Sequence, residues 1–103
     1  MAFLITRDFI TGKHEEGYGA GVQGPRTARP SILTRLTAGE GEPFRMLDDD
    51  GYVYYHGRFL DDSDAEAYVG EAEFQPLDCY GTPNAGAVTI QYRDPATGAW
   101  TAL

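Results

Sequence analysis

Cysteine is almost absent from this chain: Cys79 is the one cysteine among 103 residues. A single cysteine excludes an internal disulfide and any zinc site that needs several thiolates, and it fits a reducing compartment. Long apolar runs are also missing, since none approaches the roughly 20 residues that span a membrane. Residues 1–7 lack the layout of a secretion signal. We therefore expect a cytoplasmic protein with no membrane partner.

Positive charge is scarce and unevenly placed. Sixteen acidic residues against eight basic ones give a net charge of −8, and seven of the eight are arginine. The arginine bias, with 13 glycines and abundant alanine, is typical of GC-rich bacterial or phage genomes. Between Asp48 and Asp78 the chain has ten acids and only Arg58, a net charge of −9 in that segment. Such asymmetry bears on partners and solubility rather than on fold.

Apolar residues are plentiful enough for a folded core. They make up 42% of the chain, and 13% of it is aromatic, which predicts one domain over residues 1–103 with a modest core. Alternating patterns predict strands, and one short apolar stripe predicts a helix that Ser31 caps and Gly39 ends. The predicted strands are residues 2–6, 44–60 (a hairpin), 88–93 and 99–103, and the predicted helix is 26–38. We expect an α+β fold: a mostly antiparallel sheet of four to six strands with one short helix packed on it. Residues 73–85 are interpreted as irregular.

The hairpin is the clearest local signal, because Asp-Gly lies between two alternating runs. A two-residue turn at Asp50 and Gly51 places one apolar set on a single face: Phe44, Met46, Val53, Tyr55 and Phe59. The other face then holds Arg45, Leu47, Tyr54, His56 and Arg58. A type I turn with Gly51 left-handed instead aligns Phe44 and Met46 with Tyr54 and His56. Burial favours the first register, since it separates apolar from charged residues better.

The same hairpin supplies the candidate binding residues. Tyr52, Tyr54, His56 and Arg58 form a predicted aromatic and basic patch, and tyrosine and arginine are enriched where proteins bind one another. Acidic candidates flank the patch on both sides in sequence: Asp48, Asp49, Asp50, Asp61, Asp62 and Asp64. The leading hypothesis is a non-catalytic protein-binding module with a protein partner, and self-association is also open.

Two alternatives belong to other functional classes. Carboxylates spread over a surface can imitate a phosphate backbone, as in acidic inhibitors of restriction or CRISPR complexes. The chain would then occupy the basic groove of a nucleic-acid-binding protein. The other alternative is a small hydrolase or transferase in which Cys79 is the nucleophile and His56 the base, with Asp78 as orienter. No known nucleophile signature surrounds Cys79, so we expect no enzyme activity.

Cofactor, metal and nucleic-acid sites are not expected. Residues 19–24 match the dinucleotide fingerprint G-x-G-x-x-G, but Pro25 follows at once and no strand leads into the motif, so we reject it. The aspartate runs 48–50 and 61–64 lack the spacing of an EF-hand, and we expect neighbouring carboxylates in a tight turn to point apart. Only Arg26, Arg29 and Arg35 cluster, and the net charge opposes direct nucleic-acid binding.

Overall fold

A computed structural model describes residues 2–9, 21–24, 29–60 and 74–103 of the chain. It shows a six-stranded antiparallel sheet with two short helices, consistent with a single small α+β domain. The strands are β1 (Ala2–Asp8), β2 (Gln23–Gly24), β3 (Glu42–Leu47), β4 (Val53–Leu60), β5 (Thr89–Arg93) and β6 (Trp100–Ala102). The helices are α1 (Pro30–Thr37) and α2 (Thr82–Ala85), and a π-helical turn, Leu77–Gly81, leads into α2. The strand order across the sheet is β2-β1-β4-β3-β5-β6. The predicted fold class is confirmed.

The main core lies on one side of the sheet, which we call the core face. Phe44 and Met46 of β3 are fully buried there, beside apolar residues of β1, β4 and β5. Residues 74–87 cover this face, and Leu77 and Ala87 pack into the same cluster. Helical structure therefore packs on the core face.

The opposite side, which we call the helix face, carries a smaller core. Leu36 of α1 is fully buried against Ala2 and Leu4 of β1. Phe3 belongs to the core face and Leu4 to the helix face, which confirms the alternation predicted for the first strand. The contacts of α1 with the sheet are mainly to β1 and β4. Among the residues that the structure describes, no comparable contact joins a helix to the helix face of β3, β5 or β6.

The start of α1 differs from the prediction. The helix begins at Pro30 rather than at residue 26, and Arg29 is its N-cap, without a side-chain capping bond. Ser31, the predicted cap, lies inside the first turn. Proline is well suited to the first helical position because its missing N–H is not needed there. The predicted end is close to the observed one, and Gly39 has a φ of 103° just beyond it.

Residues 73–85 were predicted to be irregular, and this was wrong for the part that the structure describes. The chain is helical from residue 74 to residue 85. Pro76 and Pro83 favoured an irregular segment in the sequence, yet both lie inside this helical run. Gly86 ends α2 with a φ of 70°.

The β3–β4 hairpin combines features of both predicted registers. The turn itself is the second alternative: Gly51 N–H donates to Asp48 O (3.2 Å), Asp48 N–H donates to Tyr52 O (3.0 Å), and Gly51 has a φ of 88°. A β-bulge then inserts Tyr54 between the pairs Leu47–Val53 and Met46–Tyr55. Beyond the bulge, the two strands pair in the register of the first alternative. Phe44, Met46, Tyr55 and Phe59 therefore share the core face as predicted.

The last two strands follow the prediction closely. Asp94 and Gly98 close the turn between them, with Gly98 N–H donating to Asp94 O (2.7 Å) and Gly98 at a φ of 74°. The pair Arg93–Trp100 begins the ladder of β5 and β6.

No helix among residues 2–9, 21–24, 29–60 and 74–103 is long and apolar enough to cross a membrane.

Candidate functional site

The four residues of the predicted patch do not form one surface. Tyr52 is 70% exposed at the hairpin tip, and Tyr54 is half-buried at the bulge. A hydrogen bond to Asp48 raises the pKa of Tyr54, and partial burial adds to this. His56 and Arg58 alternate with core residues and so lie on the helix face. Of the predicted acids, Asp61, Asp62 and Asp64 lie outside the described residues.

Arg58 serves the fold rather than an open surface. Its Nη2 donates to the carbonyl oxygen of Leu36 at 2.6 Å, near the C-terminal end of α1. Its Nε is buried and has no hydrogen-bond partner among the described residues. A cation at this end of a helix is favoured by the helix dipole and by the unpaired carbonyl groups. Arg58 therefore ties α1 to β4.

Replacing Arg58 with Met should lower the free energy of unfolding by about 1–2 kcal/mol, because a charge-assisted hydrogen bond to the helix end is lost. The matched control is Arg93→Met, which changes the same charge at an exposed position and should cost less than about 0.5 kcal/mol. Urea unfolding of both variants measures the difference. Equal losses in the two variants would show that the Arg58–Leu36 bond does not hold α1.

The helix face beyond α1 carries a connected layer of rings and guanidinium groups. The ring centroid of His56 lies 5.4 Å from that of Phe9 and 5.8 Å from that of Trp100, both edge to face. The guanidinium carbon of Arg45 lies 4.5 Å from the centroid of Trp100. Arg45 Nε also donates to Gln91 Oε1 at 2.6 Å. We call this surface the open face; its residues are Arg7, Phe9, Arg45, His56, Gln91 and Trp100.

The order of the strands explains how distant residues meet on the open face. Arg7, His56, Arg45 and Gln91 are register partners on four adjacent strands, so they form one row across the sheet. Trp100 lies on β6 at the edge. Strands are about 4.8 Å apart, so its indole must extend across β5 to contact Arg45 and His56. Trp100 thus lies along the sheet rather than inside either core.

Electrostatics of the open face favour a neutral histidine. Partial burial lowers the pKa of His56 below its usual value, and the positive charges of Arg45 and Arg7 lower it further. Protonation of His56 is therefore opposed near neutral pH. The charge of the row comes from its two arginines.

The proposed Cys79–His56 pair is not assembled. Cys79 lies in the π-helical turn that packs on the core face, between Leu77 and Tyr80 of that cluster. His56 lies on the opposite side of the sheet, against Trp100. Partial burial and Asp78 raise the pKa of the Cys79 thiol, which a hydrogen bond from Gln75 only partly offsets. The reactive thiolate is thereby disfavoured.

The hairpin tip gathers three carboxylates, contrary to the expectation that they point apart. One oxygen each from Asp48, Asp49 and Asp50 lies within 4.8 Å of the others. Asp48 Oδ1 accepts hydrogen bonds from the backbone N–H groups of Asp50 (2.9 Å) and Tyr52 (2.8 Å). The carboxylate of Asp48 is therefore engaged in shaping the turn.

Sequence reasoning missed most of the open face. Arg45 was placed beside His56 by the alternation, yet neither Arg45 nor Trp100 was a candidate site residue. Arg45 and Trp100 are 55 positions apart, and the period of a strand carries no signal for such a contact.

Comparison of the chain with protein-family models, with curated proteins and with solved structures finds no match.

Proposed function

We propose that this chain is a non-catalytic protein-binding module whose contact surface is the open face. The observation that supports this proposal is the connected layer of Trp100, Arg45 and His56 beside α1. All three side chains are half-buried rather than fully exposed. They form a continuous surface on a rigid sheet, which suits a binding site better than a loop does.

The residue types fit a binding hot spot. Tryptophan and arginine are among the residues that contribute most at protein interfaces, where they fill desolvated central positions. Arg45 is held by the indole of Trp100 and by the amide of Gln91 before any partner arrives. Such pre-organisation reduces the side-chain entropy that is lost on binding.

A nucleic-acid mimic receives less support. Six of the ten acids between Asp48 and Asp78 lie outside the described residues, so their arrangement carries no argument. The three clustered carboxylates at the hairpin tip are too few to follow a phosphate backbone.

We place the module in a reducing cytoplasm, which suits its single cysteine.

Substitution of Trp100 by Ala tests the proposal by capture from lysate of the source cell. Loss of a central hot spot costs at least about 2 kcal/mol, so the affinity for the captured partner should fall roughly 30-fold. Val88→Ala is the matched control, since Val88 is a 56% exposed apolar residue outside the open face, and it should leave capture unchanged.

The two variants must first be compared with the parent protein by circular dichroism, so that a loss of fold is not mistaken for a loss of binding. If folded Trp100→Ala captures the same proteins in the same amounts as the parent chain, the open face is not the contact surface.

A further inference from the structure

Positive charge is concentrated in the centre of the open face. Arg7 and Arg45 lie on either side of His56 as its register partners on β1 and β3. Two strand spacings of about 4.8 Å therefore separate their backbones. By strand alternation, none of the described strand residues with a side chain on the helix face is an aspartate or glutamate. Three acids of the hairpin, Asp48, Asp49 and Asp50, lie at its tip instead, and Glu42 begins β3 on the core-face side, opposite Phe59.

An apolar occupant does not suit this surface. Covering Arg45 with apolar groups would remove its guanidinium from water without supplying a counter-charge, which is unfavourable. A carboxylate placed there would instead form a charge-assisted bond with a guanidinium that is already held in place. The indole of Trp100 and the 42% exposed ring of Phe9 offer apolar contact beside that charge.

We infer that the occupant of the open face is an acidic polypeptide segment, whose carboxylates contact Arg45 and whose apolar side chains contact Trp100 and Phe9. This inference rests on the proposed protein-binding function and specifies the chemistry of the partner. Arg45 is the residue that selects acidic over neutral segments.

A peptide suits the site better than a nucleic acid does. A phosphate backbone carries charge continuously, and the clustered carboxylates of Asp48, Asp49 and Asp50 on the same hairpin would repel it. The net charge of −8 opposes such a strand. An acidic peptide can confine its charge to the arginine row, and screening over about 8 Å at physiological salt weakens repulsion from the rest of the chain.

Binding of an acidic segment should depend on pH because His56 lies beside the arginines. The groups that face it are Arg45, Arg7, Phe9 and Trp100. Carboxylates bound at Arg45 would reduce the repulsion that keeps His56 neutral, so its pKa should rise on binding and the complex should take up a proton. Affinity should then increase as the pH falls from 8 to 6. An apolar occupant would bury His56 further and produce the opposite trend.

The test uses two capped peptides of six residues, one alternating Glu with Leu and the other alternating Gln with Leu, and a six-nucleotide oligothymidylate. Trp100 is the one tryptophan of the chain and none of the probes contains tryptophan, so its fluorescence reports binding directly. We expect the Glu peptide to bind at least tenfold more tightly than the Gln peptide in about 0.1 M salt, a difference of roughly one well-placed charge pair.

Arg45→Gln should abolish this preference, whereas Arg35→Gln should preserve it. Arg35 is the matched control because it is an exposed arginine on α1, paired with Glu40 at 3.0 Å. The pKa of His56, followed by NMR, should rise on addition of the Glu peptide. The NMR measurement of the His56 pKa uses the parent protein and so does not depend on the stability of any variant.

Three results would overturn the inference. Equal or tighter binding of the Gln peptide would indicate an apolar occupant, and tighter binding of the oligothymidylate would indicate a nucleic acid. Failure of all three probes would show that an acidic segment alone is not recognised. In that case the Trp100→Ala capture comparison still decides separately whether the open face binds a protein.

Discussion

Gly57→Ala is expected to lower the free energy of unfolding by about 3 kcal/mol, at the upper end of what overpacking costs. Gly57 lies in the middle of β4, where β1 and β3 approach it from both sides. A Cβ added there would overlap the carbonyl oxygen of Leu4 and the ring of Phe44. Neither can move freely, because Leu4 O belongs to the backbone and Phe44 is fully buried. Since small domains have only about 5–15 kcal/mol in total, this one methyl group should weaken the fold severely.

Gly81→Ala is the matched control for this prediction. Its added Cβ would meet the sulfur of Met46 at 2.6 Å. Met46 is also fully buried, but its unbranched side chain can adjust where a backbone carbonyl and a ring cannot. We expect a loss of about 1 kcal/mol or less, measured for both variants by urea unfolding. A Gly57→Ala protein as stable as the Gly81→Ala protein would show that β1, β4 and β3 are not packed in the described register.

Raising the pH from about 10 to 12 is expected to lower the free energy of unfolding by about 2–3 kcal/mol through the ionisation of Tyr55. Burial raises the pKa of Tyr55 to about 12, and Tyr80, Asp8 and the hydrogen bond with Tyr80 contribute in that order. Because the pKa in the folded state exceeds that of the unfolded chain, the neutral hydroxyl stabilises the fold fully below pH 10. That stabilisation is lost as the pH rises from about 10 to 12, and two pKa units correspond to about 2.7 kcal/mol.

Thermal or urea unfolding between pH 8 and pH 12 checks this result. The decline at high pH should be clearly shallower in Tyr55→Phe than in the parent protein. Tyr52→Phe removes an exposed hydroxyl at the hairpin tip and should follow the parent curve. Identical slopes for Tyr55→Phe and the parent protein would contradict the buried environment assigned to Tyr55.

Local alternation predicted most of the buried hairpin residues, although Leu47 is buried and was placed on the outer face. Phe44, Met46, Tyr55 and Phe59 share the core face as expected, because burial penalises any register that would expose them. The pattern did not predict the type I turn and the bulge at Tyr54 that together preserve this arrangement. Binary patterning records which residues are buried but not where one extra residue is inserted.

Long-range contacts account for the part of the site that sequence analysis missed. Trp100 can contact Arg45 and His56 because β4, β3, β5 and β6 are successive neighbours in the sheet. No local sequence pattern predicts this strand order. Arg58 was predicted to bind a partner, yet it donates to Leu36 of α1. Its role depends on where α1 packs, which the apolar stripe of the helix does not specify.

The central claim, that the open face is the binding surface, is tested most directly by NMR of the ¹⁵N-labelled protein during titration with the Glu–Leu peptide. The largest shifts are expected at the backbone amides of Arg45, His56 and Gln91 and at the indole N–H of Trp100. Shifts confined to the hairpin tip around Tyr52, or to residues 74–87 over the core face, would place binding elsewhere and contradict the account.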